Sequence, residues 1–377
     1  MTVELDWVRS NIPDVVGVTP GVADVQTATG ALQRELIEFD SEEPTTAGFR
    51  MDLEGAPEST GLGNLVEIEW PDGLAPQPVT PPAGIGLALP RADVLIVTWT
   101  MDEGHALSRV LTPGFDSRDD WTPYTRNYDV ISAKMRAGCP ARNYRRLGTY
   151  WRGTIGERTV TYFKSDSHMS QDGPDLPNAD VWRQIIADVS PRLVITTGTG
   201  GGIGAGAQVG DVVLSRFVGF DCQRDFAHLN GRTYESGVHA PLRHLPAARS
   251  LFRFNQGFLP PGNTRHPRTD TAQSSHHGIL TTDFFGFDNS ANTFALQGKG
   301  DLSEMGDAVL GMVCSELGDA APPYIGVRNV SDPQIASGAM TITEQARVAA
   351  NIYKVYGRWS TVCSAIVCWG IAASMTD

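Results

Sequence analysis

The sequence predicts an α/β fold, a sandwich built on a central and partly parallel sheet, and three observations carry that expectation. Apolar runs of strand length recur, in ADVLIVTWT from Ala92, RLVITTG from Arg192 and PPYIGVRNVSD from Pro322; continuous runs of this kind suit strands buried on both faces. Segments of helical periodicity lie between them, and strands mixed with helices in this order favour helices layered on a sheet. The composition fits as well. With 377 residues, 41% hydrophobic and 19% charged, the chain is that of a soluble globular protein able to bury a sizeable core.

In chain order, residues 1 to about 88 are acidic and poorly patterned and run into WPDGLAPQPVTPPAGIGLALP, whose prolines and glycines read as a linker. The expected division is an acidic extension and Pro-rich linker over 1–88 and one domain over 89–377. ADVLIVTWT is the first buried strand. From Arg126 to Arg152 there are seven basic residues (Arg126, Lys134, Arg136, Arg142, Arg145, Arg146, Arg152) against one acid, Asp129. That segment reads either as a solvated basic surface or as a site for the phosphate groups of a substrate. TVTYFKS alternates like a strand, and VWRQIIADV sets Val181, Ile185, Ile186 and Val189 on one helical face. RLVITTG and GDVVLSRFVGF read as strands. HGILTTDFF, an amphipathic SEMGDAVLGMVCSEL, the strand-like PPYIGVRNVSD and a long helix from about Thr343 follow. The apolar stretch from Cys363 to Met375 is shorter than the about 20 residues a bilayer requires and reads as a buried C-terminal helix.

A net charge of −13 argues against general affinity for DNA, RNA or anionic membrane, because such binding rests on Lys and Arg neutralising phosphates. No nucleic-acid or membrane partner is expected. The five cysteines, Cys139, Cys222, Cys314, Cys363 and Cys368, are scattered without a CxxC pair and suit neither a disulfide framework nor a zinc site. The histidines show no metal spacing, and the pair His276-His277 reads as a surface loop. Neither metal nor organic cofactor is expected. MTVELDWVRSNIPD lacks the basic start and apolar stretch of a signal peptide, so a cytoplasmic location with reduced thiols is expected.

A glycine run, TTGTGGGIGAGAQVGDVV from Thr196, follows a strand. Gly202, Gly204 and Ala207 match the dinucleotide pattern G-x-G-x-x-G/A, with Asp221 at roughly the distance of the ribose-binding acid. That pattern needs a helix to begin inside the glycines so that its amides face the pyrophosphate; here a Gly210-Asp211 turn and a β-branched strand come next. The alternative is that the glycines let backbone amides and the Thr199 hydroxyl approach a small ligand at the strand end.

At these residues the sequence resembles a family. TGTGGGIG followed by VGDVVLS is similar to the strand pair of the nucleoside phosphorylase and nucleosidase superfamily, which includes purine nucleoside phosphorylase, uridine phosphorylase and methylthioadenosine/S-adenosylhomocysteine nucleosidase. Three later stretches continue the resemblance, GILTTDFFGF, SEMGDAVLGMVC and VRNVSDPQ, and it extends from about Arg91 to the C-terminus. It implies a nucleoside phosphorylase-like, three-layer α/β/α sandwich with a central mixed sheet, assembled into homo-oligomers of two or more copies. It further implies that Thr199, Gly200 and Gly201 border the substrate, that Phe285 stacks on the nucleobase and that Gly286 supplies backbone hydrogen bonds. Met305 then forms the wall under the sugar, and Asp332, with Ser331 beside it, is the counterpart of the catalytic acid. In the family the second acid of E-M-E clamps the ribose; here that position is Gly306. Either Glu304 or the displaced Asp307 takes over, or the sugar is held differently.

The implied chemistry is cleavage of an N-glycosidic bond, which needs a proton for the leaving base and stabilisation of a cation-like sugar. An Asp at a strand end among apolar neighbours has its pKa raised by desolvation and keeps a proton to donate, a role that falls to Asp332. Phosphorylases of the family follow the first strand with a glycine-rich loop and an arginine, nucleosidases with a glutamate that orients water. TWTMDEGHAL offers Asp102 and Glu103 and no arginine before Arg109. Hydrolysis with Glu103 orienting the water is therefore expected, with adenine as the expected base and a purine nucleoside or nucleotide as substrate. Lys164, Ser167 and His168, with Arg145 and Arg146 of the basic segment, are the candidates for holding inorganic phosphate or a substrate phosphate. Three other readings stay open: a phosphate-dependent phosphorylase, a nucleotide-sensing module that has lost turnover through Gly306, and a dinucleotide oxidoreductase.

Overall fold

Alternation along the central strands sends side chains to two separate cores. Val94 and Ile96 join Ile195 and Val327 on one face, whereas Leu95 and Val97 join Val194 and Tyr324 on the other, the two-residue period of a strand covered on both sides. The computed structural model describes residues 32–42, 65, 67–82, 84, 86–237, 241–255, 258–260, 269–270 and 278–376. They form a mixed sheet of thirteen strands between two helical layers, the three-layer α/β/α sandwich expected. His276 and His277 lie outside the described residues.

The strands are β1 Gln77–Val79, β2 Val94–Thr98, β3 Thr122–Tyr124, β4 Gly148–Ile155, β5 Arg158–Ser165, β6 Leu193–Gly202 and β7 Val212–Ser215. They continue as β8 Phe217–Phe220, β9 Thr233–Glu235, β10 Thr269–Asp270, β11 Ile279–Thr281, β12 Leu302–Glu304 and β13 Tyr324–Asp332. Their order is β1-β4-β5-β2-β6-β12-β11-β8-β9, with β3 on β4, β13 on β6 and β7, and β10 on β7. Four helices matter for the site: α1 Met101–Leu111, α2 Pro177–Val189, α3 Asp307–Leu317 and α4 Ile342–Ser374. Helices α1 and α4 cover the first core, α2 and α3 the second.

Local chemistry explains where these helices begin. Thr100 and Glu103 form a capping box at α1, and Thr341 and Glu344 another at α4, each satisfying amide groups that the first helical turn leaves without partners. Helix α2 starts on Pro177, whose missing amide hydrogen costs nothing there. The stretch Cys363–Met375 is the buried end of α4, and all five cysteines are free and buried. Among the described residues no helix is long and apolar enough to cross a membrane.

Strand β6 organises the site. Strand β13 runs parallel along one of its edges from Val194 to Gly201. On the other edge β2 accompanies it only from Leu193 to Thr196, and β12 joins at Gly201 and Gly202 in the opposite direction. Residues 197–200 are thus left without a strand partner on that edge, and the cavity opens there. The chain then turns at residues 204–206 and enters β7 without forming a helix, so the glycines lack the helix N-terminus on which dinucleotide binding depends. Asp221 is instead paired with Lys299 at 2.9 Å.

The first 88 residues contribute more than an extension and a linker. Residues 32–38 are helical, and Leu36 and Phe39 join the core beneath α1 and α4. Within the Pro-rich stretch, β1 pairs antiparallel with β4. It lies at the end of the strand order, where Pro78 withholds no ladder hydrogen bond from a further neighbour.

Candidate active site

The cavity beside β6 holds about 640 Å³ of non-atom space, the open solvent at its mouth included. Four stretches of the domain build its walls: residues 99–103 after β2, residues 199–201 of β6, residues 303–305 at the end of β12 and just past it, and the end of β13. Phe285 and Gly286 close one side; Gln33, Leu36 and Ile37 close another.

Asp332 is the last residue of β13. The pairing of β13 with β6 slips between Val330 and Asp332, and such a bulge re-aims side chains at a strand end; Ser331 and Asp332 both line the cavity. Asp332 is 4% exposed, and its Oδ1 accepts a hydrogen bond from Ser331 Oγ at 2.8 Å. Burial pushes its carboxyl up to about 7, the Ser331 bond working weakly against it. Near neutral pH it therefore still carries a proton.

Glu103 is arranged in the opposite sense. Its Oε2 accepts from Thr98 Oγ1 (3.0 Å), the Trp99 amide (3.0 Å) and the Thr100 amide (2.9 Å), and its Oε1 from the Thr199 amide and hydroxyl (both 2.7 Å). Burial works to raise its pKa, but the charge of Arg328 and the bonds from Thr199 and Thr100 hold it below the ordinary carboxylate value. It is ionised, faces the cavity and fastens the start of α1 to β6.

Arg328 of β13 lies buried against the Trp99 ring, 4.5 Å from its centroid. Its Nη2 reaches Glu304 at 3.1 Å and its Nε reaches Asp307 at 3.1 Å. Burial alone would weaken the guanidinium charge, yet Asp307 and Glu304 keep it firmly protonated. Glu304 also receives the Asp307 amide at 2.9 Å, and burial followed by the charge of Asp307 pushes it up to about 8. Of the two candidates to replace the missing clamp, Glu304 borders the cavity and Asp307 does not. At Gly306 a Cβ would stand 3.3 Å from Trp99 Cζ2, so the indole occupies the neighbouring space.

The proposed substrate residues Thr199, Gly200, Gly201, Phe285, Gly286, Met305 and Ser331 come together around this cavity. The candidate phosphate ligands do not. Lys164 and Arg146 both pair with Asp166, Arg146 at 2.7 Å; Ser167 bonds Asp172 at 2.5 Å; Arg145 is an exposed residue with φ +55°. Only His168 borders the cavity, and burial lowers its pKa to about 4, leaving it neutral. Elsewhere in the basic segment Lys134 pairs with Asp180 and Arg136 with Asp225. Among the described residues, Asp40, Asp102 and His105 are close enough together to share a metal ion, but they lie outside the cavity and Arg118 holds Asp40 at 2.7 Å.

Sequence reasoning missed Trp99, Arg328, Ser303, Tyr353 and the trio from residues 33–37. Arg328 stands inside VRNVSDPQ, and its period-two spacing from Val330 and Asp332 was the available signal. For Gln33 no local signal exists, because its partners Ser170 and Met305 are far along the chain.

The solved structures similar to this chain include a methylthioadenosine/S-adenosylhomocysteine nucleosidase from Neisseria meningitidis in complex with methylthio-immucillin-A, 17% identical over 75% of this chain and 100% of that one, with a TM-score of 0.46. A futalosine hydrolase of Helicobacter pylori is 13% identical over 74% of this chain and 96% of that one, with a TM-score of 0.44. No curated protein matches the chain. The phosphorylase superfamily model matches residues 126–367, a span that takes in β6, the glycine run, Phe285, Met305 and Asp332. By that match over more than half its length, together with its fold, the chain belongs to the nucleoside phosphorylase and nucleosidase superfamily.

Proposed function

We propose that the protein hydrolyses the N-glycosidic bond of a purine nucleoside, adenosine being the type substrate, with Asp332 as the proton donor. The observation that carries this reading is a buried carboxyl facing the cavity with its pKa pushed up to about 7. Such a group delivers a proton to purine N7 as the bond to C1′ breaks, and the base leaves neutral. Phe285 lines the same cavity and supplies an aromatic face for the base. The ionised Glu103 leaves the sugar region electronegative, because the charge of Arg328 is balanced by Asp307 beside it, and this favours the positive charge that grows there.

The same charges argue for water over phosphate, and for a nucleoside over a nucleotide. Arg328 is spanned by Glu304 and Asp307, Lys164 is held by Asp166 and His168 is neutral. A phosphate dianion entering among Glu103, Glu304 and Asp332 would meet no uncommitted positive charge from the described lining. Water needs none. In this reading the Thr199 hydroxyl turns from Glu103 to the water, freeing a lone pair on the carboxylate that orients the water and takes its proton as the oxygen bonds to C1′.

The test is chromatographic detection of free base from adenosine, AMP and ATP, with and without inorganic phosphate. Adenine is expected from adenosine without phosphate, with much less from the nucleotides, and Asp332→Asn lowers kcat by about 10²- to 10⁴-fold. Strict dependence on phosphate with a sugar 1-phosphate as product would make the protein a phosphorylase, and no release from any nucleoside would make it a binding module.

A further inference from the structure

Residues 32–42 lie across the cavity and are fastened at several points. Ser41 donates to Asp102 Oδ1 through its amide (3.0 Å) and its hydroxyl (2.7 Å), Asp40 pairs with Arg118 at 2.7 Å, and Arg358 Nη1 reaches Glu42 at 3.3 Å. Lys354 pairs with Glu35. Phe39 sinks into the core at 7% exposure. This mooring fixes Gln33, itself only 2% exposed, against the cavity. Its Nε2 donates to Ser170 Oγ at 2.7 Å and lies against Met305 Sδ. Among the described residues its carbonyl Oε1 has no hydrogen-bond donor.

A sugar resting on Met305 presents hydroxyl hydrogens that need acceptors once water is excluded. The nearby carboxylates are largely engaged. Glu304 Oε1 takes Thr281 Oγ1 and the Asp307 amide, and Oε2 takes Arg328; Glu103 is filled by its five donors. Asp307 is turned to Arg328. Beside Met305, among the described residues, the amide carbonyl of Gln33 has no donor on either lone pair, while Glu304 Oε2 keeps one lone pair beside the guanidinium of Arg328.

We propose that Gln33 is a substrate-binding residue whose side-chain carbonyl accepts a hydrogen bond from a ribose hydroxyl, so that the N-terminal segment selects the sugar. The assignment rests on the nucleoside reading above. It makes residues 32–42 part of the binding site, supplied by the same chain that carries Asp332, and gives the N-terminal stretch a role in specificity rather than in linking.

The test compares wild type with Gln33→Ala in base release from adenosine, 2′-deoxyadenosine and 3′-deoxyadenosine, together with calorimetric binding of adenine. The loss of one hydrogen bond raises KM for adenosine roughly three- to tenfold, with a smaller change in kcat. For the deoxynucleoside that lacks the bonded hydroxyl, the variant and the wild type give the same KM. Adenine, which seats at the Asp332 and Phe285 end, binds both proteins equally and reports that the fold is intact. Gln33→Glu, which keeps an acceptor, retains the preference for the hydroxyl. Equal penalties on all three nucleosides, or none on any, overturn the assignment. If wild type releases no base, the reaction above fails and the same comparison is read from dissociation constants; adenine binding without any adenosine binding then overturns the contact as well.

Discussion

Asp332 and Glu103 line one cavity with opposite electrostatic histories, and that contrast separates their variants. Asp332 is held protonated by burial, at a cost to the charged form, and only a hydrogen bond from Ser331 offsets it. Because its folded pKa lies above the unfolded value, its contribution to stability is complete below about pH 4 and is lost as pH rises through about 7. Asp332→Asn removes that loss, so thermal unfolding at pH 8 is expected at an equal or higher temperature than wild type even as turnover collapses. The same ionisation sets the activity profile: kcat/KM should fall by about tenfold per unit above pH 7, and a flat profile from pH 6 to 9 would remove Asp332 as the donor. Glu103 has a lowered folded pKa, so its contribution is present above the unfolded value and disappears in acid. Glu103→Gln would turn an amide NH2 toward groups that are themselves donors, among them the amides of Trp99, Thr100 and Thr199. Leaving buried donors unsatisfied costs about 1–3 kcal/mol each, so this variant should lose both activity and stability in urea titration, unlike Asp332→Asn.

At the scale of elements, the glycine run is shaped by packing as much as by a ligand. Gly200 has no room for a side chain: a Cβ would stand 2.2 Å from Leu302 Cδ2 and 2.8 Å from the backbone oxygen of Ser303. Gly198 has φ +136°, and a Cβ there would lie 2.5 Å from the Glu103 carboxyl. Gly200→Ala must push β12 off the end of β6 and carry Ser303 to Met305 with it. Overpacking of this kind costs about 1–3 kcal/mol, and the expected readout is a lower urea midpoint together with weaker adenine binding; a variant with wild-type affinity would show that β12 is free to shift. These contacts explain what was readable in the sequence. The continuous apolar runs gave β2, β6, β13 and the buried end of α4, and the periodic runs gave α2 and α3, because burial on both faces or on one helical stripe leaves a local imprint. Asp332 and Phe285 were singled out by the resemblance of VRNVSDPQ and GILTTDFFGF to a known family, since burial patterning alone marks the strands and not the side chains that face a ligand. The exchange of partners along β6 was not, since β12 has three residues and its pairing depends on Leu302 meeting a glycine a hundred positions earlier.

Across the whole molecule, the cavity is complete only when residues 32–42 are docked, and apolar and ionic fastenings share that task unequally. The pair Glu35–Lys354 has an exposed member, and such pairs contribute about 0–1 kcal/mol and weaken with salt, whereas Asp40 and Arg358 are buried in their pairs with Arg118 and Glu42 and are screened much less. Phe39 is buried against the core that α1 and α4 share, and truncating a buried Phe to Ala costs about 3–5 kcal/mol. The apolar anchor should therefore dominate. Raising NaCl to a level that screens surface pairs is expected to change KM for adenosine by no more than about twofold. Phe39→Ala should raise it at least about tenfold, while adenine affinity, which depends on the Asp332 and Phe285 end, stays at the wild-type value. Were salt to weaken adenosine binding as strongly as the loss of the Phe39 ring, the segment would be held by charge, and its closure over Met305 would respond to ionic strength rather than to packing.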